Sequence, residues 1–357
     1  MIGTTGTVIG DVVTPTLNTT PESYELHQAF AQMVEAGCEY AVMEVSSQGI
    51  KMHRTDGLYF NYAIFTNISP DHIGPGEHAD FEEYLYYKTR LLNMCGIGLV
   101  NKDDKHAPQI IKAANCELYT YSEESKEADF VASDIRYVSQ PDFVGTEFHI
   151  SGKYDMEVRL GIPGLFNVVN ALAAVSVCSF LGLDQARISH ALENIRVNGR
   201  MEIVYTSERC TVLVDYAHNA VSMESLLSTL RDYKPKRLVC VFGCGGNRSK
   251  DRRYSMGEIG GKMADLSIIT ADNSRYEKVE DIIADIRGSI EKTGGKFIEI
   301  PDRREAIRYS ILHAQPGDMV AVIGKGHEDY QEINGVRHHF LDREVIEETV
   351  KELGEKA

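Results

Sequence analysis

The sequence predicts an α/β protein in two domains, and three observations carry the prediction. Short apolar runs rich in β-branched residues alternate with amphipathic segments along most of the chain. A composition of 43% hydrophobic and 25% charged residues is that of a folded globular protein and excludes a disordered or collagen-like chain. The length, 357 residues, exceeds what one core ordinarily serves at roughly 100–200 residues per domain.

Taken in order, Met1-Ile2-Gly3-Thr4-Thr5-Gly6-Thr7 enters structured-looking chain without a capped lead-in, as if the sequence began within a domain. Periodicity predicts a helix over Glu22–Ala36, buried strands over Tyr40–Val45 and Tyr62–Asn67, and a helix over Phe81–Leu92. From Phe130 the pattern switches to three alternating runs, Phe130–Val138, Gly145–Ser151 and Tyr154–Leu160, broken at Gln140-Pro141-Asp142 and Ser151-Gly152-Lys153. That pattern predicts a small antiparallel meander. Helices over Phe166–Leu181 and Gln185–Asn194 follow. The polar, glycine-containing Val197-Asn198-Gly199-Arg200 then suits a linker, which divides the chain into domains 1–197 and 198–357. Beyond it, apolar strands at Thr211–Asp215, Leu238–Phe242, Leu266–Thr270, Phe297–Ile300 and Met319–Ile323 alternate with helical segments. This is the pattern of a parallel sheet covered on both faces, and hence of a Rossmann-like domain. Asp342–Ala357 reads as a closing amphipathic helix.

Charge narrows the classes of function. With 53 acidic against 37 basic residues the net charge is −16, which argues against nucleic-acid or anionic-membrane binding over the whole surface. Any anionic ligand must be met by placed cations. Seven cysteines without a CxxC pair, and no basic stretch followed by an apolar run at the N-terminus, predict a protein of the reducing cytoplasm. The most apolar stretch, Leu165–Leu183, carries two Asn and several small residues and reads as a buried helix, not a membrane span.

Ligands of open α/β sheets gather at strand carboxyl ends, so the polar residues closing each apolar run are the candidates. Met43–Gly49 offers Glu44 and the hydroxyls of Ser46 and Ser47, and Thr66–His72 offers Asp71 and His72. Each alone suits a helix cap; together they suggest a divalent cation and phosphates. Lys88, in Tyr84–Arg90, would by itself be a surface lysine. In Gly161–Ala174 the amides of Asn167 and Asn170 stand three residues apart on one helix face, placed to read a purine edge or simply to cap and pack. In the second domain Asp215–Asn219, the glycine loop Phe242–Arg248, Ala271–Arg275 and Gly324–Asp329 each close a predicted parallel strand. Four such ends bring Asp, Asn, Arg and Glu side chains to one edge of a sheet.

In chain order, Asn18-Thr19-Thr20-Pro21, Met43–Gly49 with Arg54, Asn67–His72, Lys88, Asn167–Ala174, Gly199-Arg200-Met201-Glu202, Asp215–Asn219, Phe242–Arg248, Asp272–Arg275 and Gly324–Gln331 resemble the motifs of the Mur ligases of bacterial cell-wall synthesis. Within that family they resemble the branch that adds the third residue of the peptide. The resemblance implies a Mur-ligase central ATPase domain, built on a parallel sheet plus a small antiparallel sheet, followed by a Rossmann-like C-terminal domain. It implies an ATP- and Mg²⁺-dependent amide ligase acting through an acyl phosphate. The substrates implied are UDP-N-acetylmuramoyl-L-alanyl-D-glutamate and meso-diaminopimelate, handled by a monomer with no nucleic acid or membrane partner. By the same resemblance Glu44 and His72 hold Mg²⁺ and a carbamylated Lys88 supports a second Mg²⁺, the three acting as catalytic residues. Thr19, Thr20, Ser46 and Arg54 grip the UDP-muramoyl substrate. Asn167, Asn170, Arg200 and Asp215 reach the nucleotide, while Arg248, Asp272, Asn273, Arg275, Gly324 and Glu328 receive the incoming amino acid.

Diaminopimelate-adding members read Asp-Asn-Pro-Arg where this chain reads Asp272-Asn273-Ser274-Arg275, and lysine-adding members usually lack the arginine. Arg275 can pair a distal carboxylate bidentately and would repel the like charge of a lysine side chain, so diaminopimelate is expected and L-lysine is the alternative. Ser274 in place of the proline relaxes that loop. The departure from the family is at the front. Its members carry a uridine-binding domain and a phosphate-binding loop ahead of the segment matching Ile2–Gly6, whereas no Gly-x-x-x-x-Gly-Lys-Ser/Thr occurs in these 357 residues. An N-terminally truncated chain with little or no ligase activity of its own is therefore expected. The other alternative is a noncatalytic remnant that binds ligand or a partner chain.

Overall fold

A computed structural model describes residues 1–354. Its contacts divide the chain into two compact units, one of residues 1–132, 150–155 and 172–183, the other of residues 133–149, 156–171 and 184–357.

In the first unit the helix Ser23–Glu35 forms where predicted and turns Leu26, Ala29 and Met33 inward against Ile2. A capping box opens it, the side chains of Glu22 and Glu25 each satisfying the other's backbone amide. The segment Tyr40–Val45 is not the buried strand predicted: its one ladder contact is a bridge from Met43 to Ile2, and Tyr40 and Val42 are 56% and 68% exposed. Strand propensity needs a partner, and here a single residue is available to pair. Ile2–Gly3 instead pairs with Gly6–Ile9, which pairs with Val12–Thr14, a small antiparallel sheet that the sequence did not suggest.

Strands Phe60–Phe65, Cys95–Asn101 and Glu117–Ser122 lie parallel, with Phe65, Leu85, Leu92 and Ile110 in the core beneath them. The predicted helix over Phe81–Leu92 runs from Phe81 to Thr89 and closes as a 3₁₀ turn, Arg90–Asn93. Glu117–Ser122 also pairs in parallel with Phe130–Gln140, which is followed by Phe143–Gly152 and Met156–Leu160. The two-residue connection Pro141-Asp142 permits only an antiparallel hairpin. The predicted meander is present, and it continues the parallel strands into one six-stranded sheet instead of standing apart.

In the second unit a six-stranded sheet runs, edge to edge, Glu202–Thr206, Cys210–Asp215, Asp318–Ile323, Arg237–Phe242, Leu266–Ile269, Phe297–Glu299. The first pair is antiparallel and the rest are parallel. The inner strands are apolar throughout because both faces are covered, one by a core including Leu213, Phe242 and Met256, the other by one including Val214, Val241 and Ile346. Because Asp318–Ile323 inserts between Cys210–Asp215 and Arg237–Phe242, the carboxyl ends Asp215, Ile323, Phe242 and Ile269 lie side by side. The antiparallel edge strand Glu202–Thr206 and the hairpin of Tyr330–Ile333 and Val336–His339 escaped the sequence reading. The closing helix spans Asp342–Glu352; the remainder of that prediction, from residue 355 on, lies outside the described residues. Among the described residues no helix is long and apolar enough to cross a membrane.

Candidate active-site residues

In the first unit, five of the expected substrate and metal residues form one hydrogen-bonded group. Glu44 accepts from the Thr4 hydroxyl at 2.8 Å and the Thr4 amide at 3.3 Å. The Thr20 hydroxyl donates to the Glu44 carbonyl at 3.0 Å and accepts from the Ser46 amide at 2.9 Å. Ser46 in turn caps the short helix Ser47–Lys51 by accepting from the Gly49 amide at 2.9 Å, so its capping role is realised. Thr19 reaches the group through Thr4, hydroxyl to hydroxyl at 3.4 Å, and Arg54 donates to the Thr20 carbonyl while pairing with Glu22 at 2.8 Å.

His72 and Lys88 meet on Tyr84. Lys88 Nζ lies 3.4 Å from the Tyr84 hydroxyl and over the rings of Tyr84 and Phe65 at 5.4 and 5.7 Å. His72, exposed and in the left-handed region at φ 54°, sets its ring edge-on to Tyr84 at 5.7 Å and its Nδ1 3.4 Å from Glu77. Burial pushes the Lys88 ammonium below its ordinary value, against the carboxylates of Asp104 and Asp71, which raise it. Neither Tyr84 nor His78 was singled out in the sequence. His78 is fully buried, with Nε2 2.9 Å from the Ser47 hydroxyl, its ring stacked on Tyr84 at 5.2 Å, and Nδ1 without a hydrogen bond. It ties the Ser46-Ser47 segment to the helix bearing Tyr84 and Lys88. Burial and the nearby Lys51 hold its imidazolium form down.

No bond joins Glu44 to His72 or Lys88, and among the described residues no three His, Cys, Asp or Glu side chains stand close enough to hold a metal. By donor type the residues fit a hard divalent cation, since carboxylate and imidazole are present and a carbamate on Lys88 would add the carboxylate that the group lacks.

In the second unit Asp215 is buried; Met201 and Ala217 donate their amides to it at 2.8 and 2.7 Å. Burial pushes its carboxyl up, opposed by those two donors and by Arg200. The Arg200 guanidinium lies 5.1 Å from the Tyr216 ring centroid. Asn167 spends its amide on the Pro163 carbonyl at 2.7 Å and Asn170 is exposed; neither bonds to Arg200 or Asp215.

The expected amino-acid residues are brought together more closely. Asn273 donates to Glu328 at 3.0 Å and accepts from the Glu332 amide at 2.9 Å. Arg275 donates to the Gly246 carbonyl at 2.9 Å and pairs with Glu332 at 3.4 Å, its backbone held at φ 52° by bonds to Glu332 and Asn334 of the hairpin. Gly324, at φ 111°, passes so near Asp272 that a Cβ would lie 2.8 Å from its carboxylate. Arg248 extends from the same glycine loop into solvent and makes no bond among the described residues. Lys325, buried between Asn273 and Glu328, was named in the sequence only as part of a motif. Behind these loops Arg303, fully buried, pairs bidentately with Asp342 at 2.7 Å and donates to the carbonyls of Ala271 and Ile323, the residues just before Asp272 and Gly324. Nothing local in the sequence signals that pair, whose members are 39 residues apart.

Residues 1–178 match the Mur ligase middle domain and residues 199–326 the family described as Mur ligase, glutamate ligase domain. A protein of Caldanaerobacter subterraneus named UDP-N-acetylmuramoyl-L-alanyl-D-glutamate–2,6-diaminopimelate ligase is 39% identical over 99% of this chain and 72% of its own length. Its namesake in Clostridioides difficile is 38% identical over 99% and 73%. A solved structure of a ligase of the same name superposes with a TM-score of 0.79 at 34% identity, covering 99% of this chain and 72% of that one.

Proposed function

The chain belongs to the Mur ligase family, and from that premise we propose that it serves the ATP-dependent addition of meso-diaminopimelate to UDP-N-acetylmuramoyl-L-alanyl-D-glutamate. On this reading it works as a cytoplasmic monomer with a domain boundary at 197/198. The γ-carboxylate of D-glutamate becomes an acyl phosphate at the expense of ATP; an amine of diaminopimelate then attacks the acyl carbon, forming the amide as phosphate leaves. Mg²⁺ supplies neutralisation of the phosphate oxygens.

The residues divide that work. Glu44 and His72 would hold Mg²⁺, and Lys88 would do so as a carbamate, which its depressed basicity favours because only the neutral amine adds CO₂. Thr19, Thr20, Ser46 and Arg54 would take the UDP-muramoyl substrate; Asn167, Asn170, Arg200 and Asp215 the nucleotide. Asp272, Asn273, Arg275, Gly324 and Glu328, with Arg248 at the rim, would take the amino acid.

The observation that carries the reading is a guanidinium and a carboxylate held in one bonded group, Arg275 and Glu328, joined through Asn273 and Glu332. The far end of diaminopimelate bears a carboxylate and an ammonium on a single carbon, and that pair of groups complements it. The test is calorimetric titration of the 357-residue chain with meso-diaminopimelate and with L-lysine. Diaminopimelate should bind more tightly, and Arg275→Ala should weaken it roughly 10- to 150-fold while leaving lysine unharmed, the equivalent of about 1.5–3 kcal/mol for a charge-assisted pair. A chain that prefers lysine, or an unchanged ratio in Arg275→Ala, overturns the assignment.

A further inference from the structure

We propose that Lys325 is a positioning residue of the amino-acid pocket, one that never touches the ligand but fixes which oxygen of Glu328 and which face of Asn273 the ligand meets. The proposal rests on the reading of that pocket given above. Lysine is among the residues least often buried, and an ammonium withdrawn from water is costly unless fully paired. Lys325 has no exposed surface, and it stands between Gly324 and Gly326, both left-handed, at φ 111° and 54°, which lets the chain turn its side chain inward.

Its ammonium is enclosed by protein groups. Nζ lies 3.0 Å from Glu328 Oε2, 3.3 Å from Asn273 Oδ1, and 5.2 Å from the centroid of the Tyr330 ring. Two of the ammonium's three donors are spent on these oxygens, and with no exposed surface the third is out of a ligand's reach. The consequences fall on its neighbours. Asn273 Oδ1 receives Lys325 and the Glu332 amide, which obliges Nδ2 to point at Glu328, 3.0 Å away. Glu328 Oε2 therefore takes two donors, while Oε1 takes none among the described residues and the side chain remains 21% exposed. The free Oε1 is the acceptor offered to a ligand's ammonium. Without Lys325 the Asn273 amide can turn over and the carboxylate can rotate, so the acceptor loses its aim.

Calorimetry on the full chain tests this with two ligands: meso-diaminopimelate, and 2-aminopimelate, which lacks the distal ammonium. Lys325→Met should weaken diaminopimelate about tenfold to a hundredfold, as expected for loss of hydrogen bonds to a charged group, and leave 2-aminopimelate unchanged. Lys325→Arg, which keeps a cation, should recover part of the loss. Because the lysine acts through the carboxylate, Lys325→Met should add nothing to Glu328→Gln. Should Lys325→Met fail to fold, Lys325→Gln, whose amide can still donate to the Glu328 carboxylate, or the double variant Lys325→Met/Glu328→Gln, which removes both charges, takes its place. Unchanged diaminopimelate binding, equal losses for the two ligands, or additive losses in the double variant overturn the proposal while the pocket assignment stands. A parent chain that binds neither ligand overturns the pocket assignment and the proposal with it.

Discussion

The two units present their candidate residues in opposite states of readiness. Around Asn273, Lys325 and Glu328 the second unit supplies its own counter-charges, its own donors and a buried guanidinium to brace the loops. Around Glu44, His72 and Lys88 the first unit supplies less: Glu44 and His72 are exposed, Lys88 touches two aromatic rings and a phenol while the carboxylates of Asp104 and Asp71 act on it without an ion pair, and the buried His78 keeps one ring nitrogen without a hydrogen bond. A pocket for a zwitterion can be completed by protein atoms alone. A place for a cation cannot, because its ligands repel one another until the ion arrives.

The sharpest way to break this contrast is at the brace. Arg303→Met leaves the Asp342 carboxylate buried and unpaired, and should cost about 3–5 kcal/mol in urea unfolding. Adding Asp342→Leu, which replaces the pair by apolar side chains, should recover most of it. A single variant as stable as the parent would mean that the loops hold themselves.

A second experiment sharpens the other side. With ¹³C-bicarbonate, the parent should show a carbamate resonance that is missing in Lys88→Ala. Burial makes the folded chain hold the Lys88 proton less tightly than the unfolded chain does. Unfolding therefore takes up a proton in the window between the lowered folded value and the ordinary lysine value of about 10.4, and stability contributed at this position rises with pH through that window. Lys88→Met should remove that part of the slope. A carbamate signal that survives Lys88→Ala would return Lys88 to the ordinary role of a half-buried lysine.

The smallest effect expected is at Ser46. Ser46→Ala removes the side-chain acceptor for the Gly49 amide and should cost about 1 kcal/mol, the usual worth of a helix cap. A cost near zero in thermal unfolding would show that Thr20 alone secures the segment.

What could be read from the sequence follows the same divide. The parallel strands of the second unit were found to within a residue at each end because a strand covered on both faces is apolar at every position. Tyr40–Val45 misled because its apolar residues look the same whether or not a neighbouring strand exists to pair them. Among site residues, those that close a strand were legible: Asp215, Asp272, Asn273, Arg275, Gly324 and Glu328 all stand where the topology puts ligands. Those that support them were not. Tyr84 sits in an amphipathic helix where an aromatic residue is ordinary core, Glu332 belongs to a hairpin whose strands are too short to announce themselves, and Arg303 depends on a partner far along the chain.

The separation of Arg303 from Asp342 also fixes an order of events on the ribosome. At roughly 5–20 residues per second, the chain takes about 2–8 seconds to grow from Arg303 to Asp342, 39 positions on. For that interval Arg303 exists without its counter-charge, and the carbonyls of Ala271 and Ile323 have no settled donor to draw them together. The central strand Asp318–Ile323 is itself made only after Arg303, and the loops at the strand ends have their complete brace only once the helix Asp342–Glu352 follows. A nascent chain stopped before that helix would carry Arg303 without the carboxylate that neutralises it.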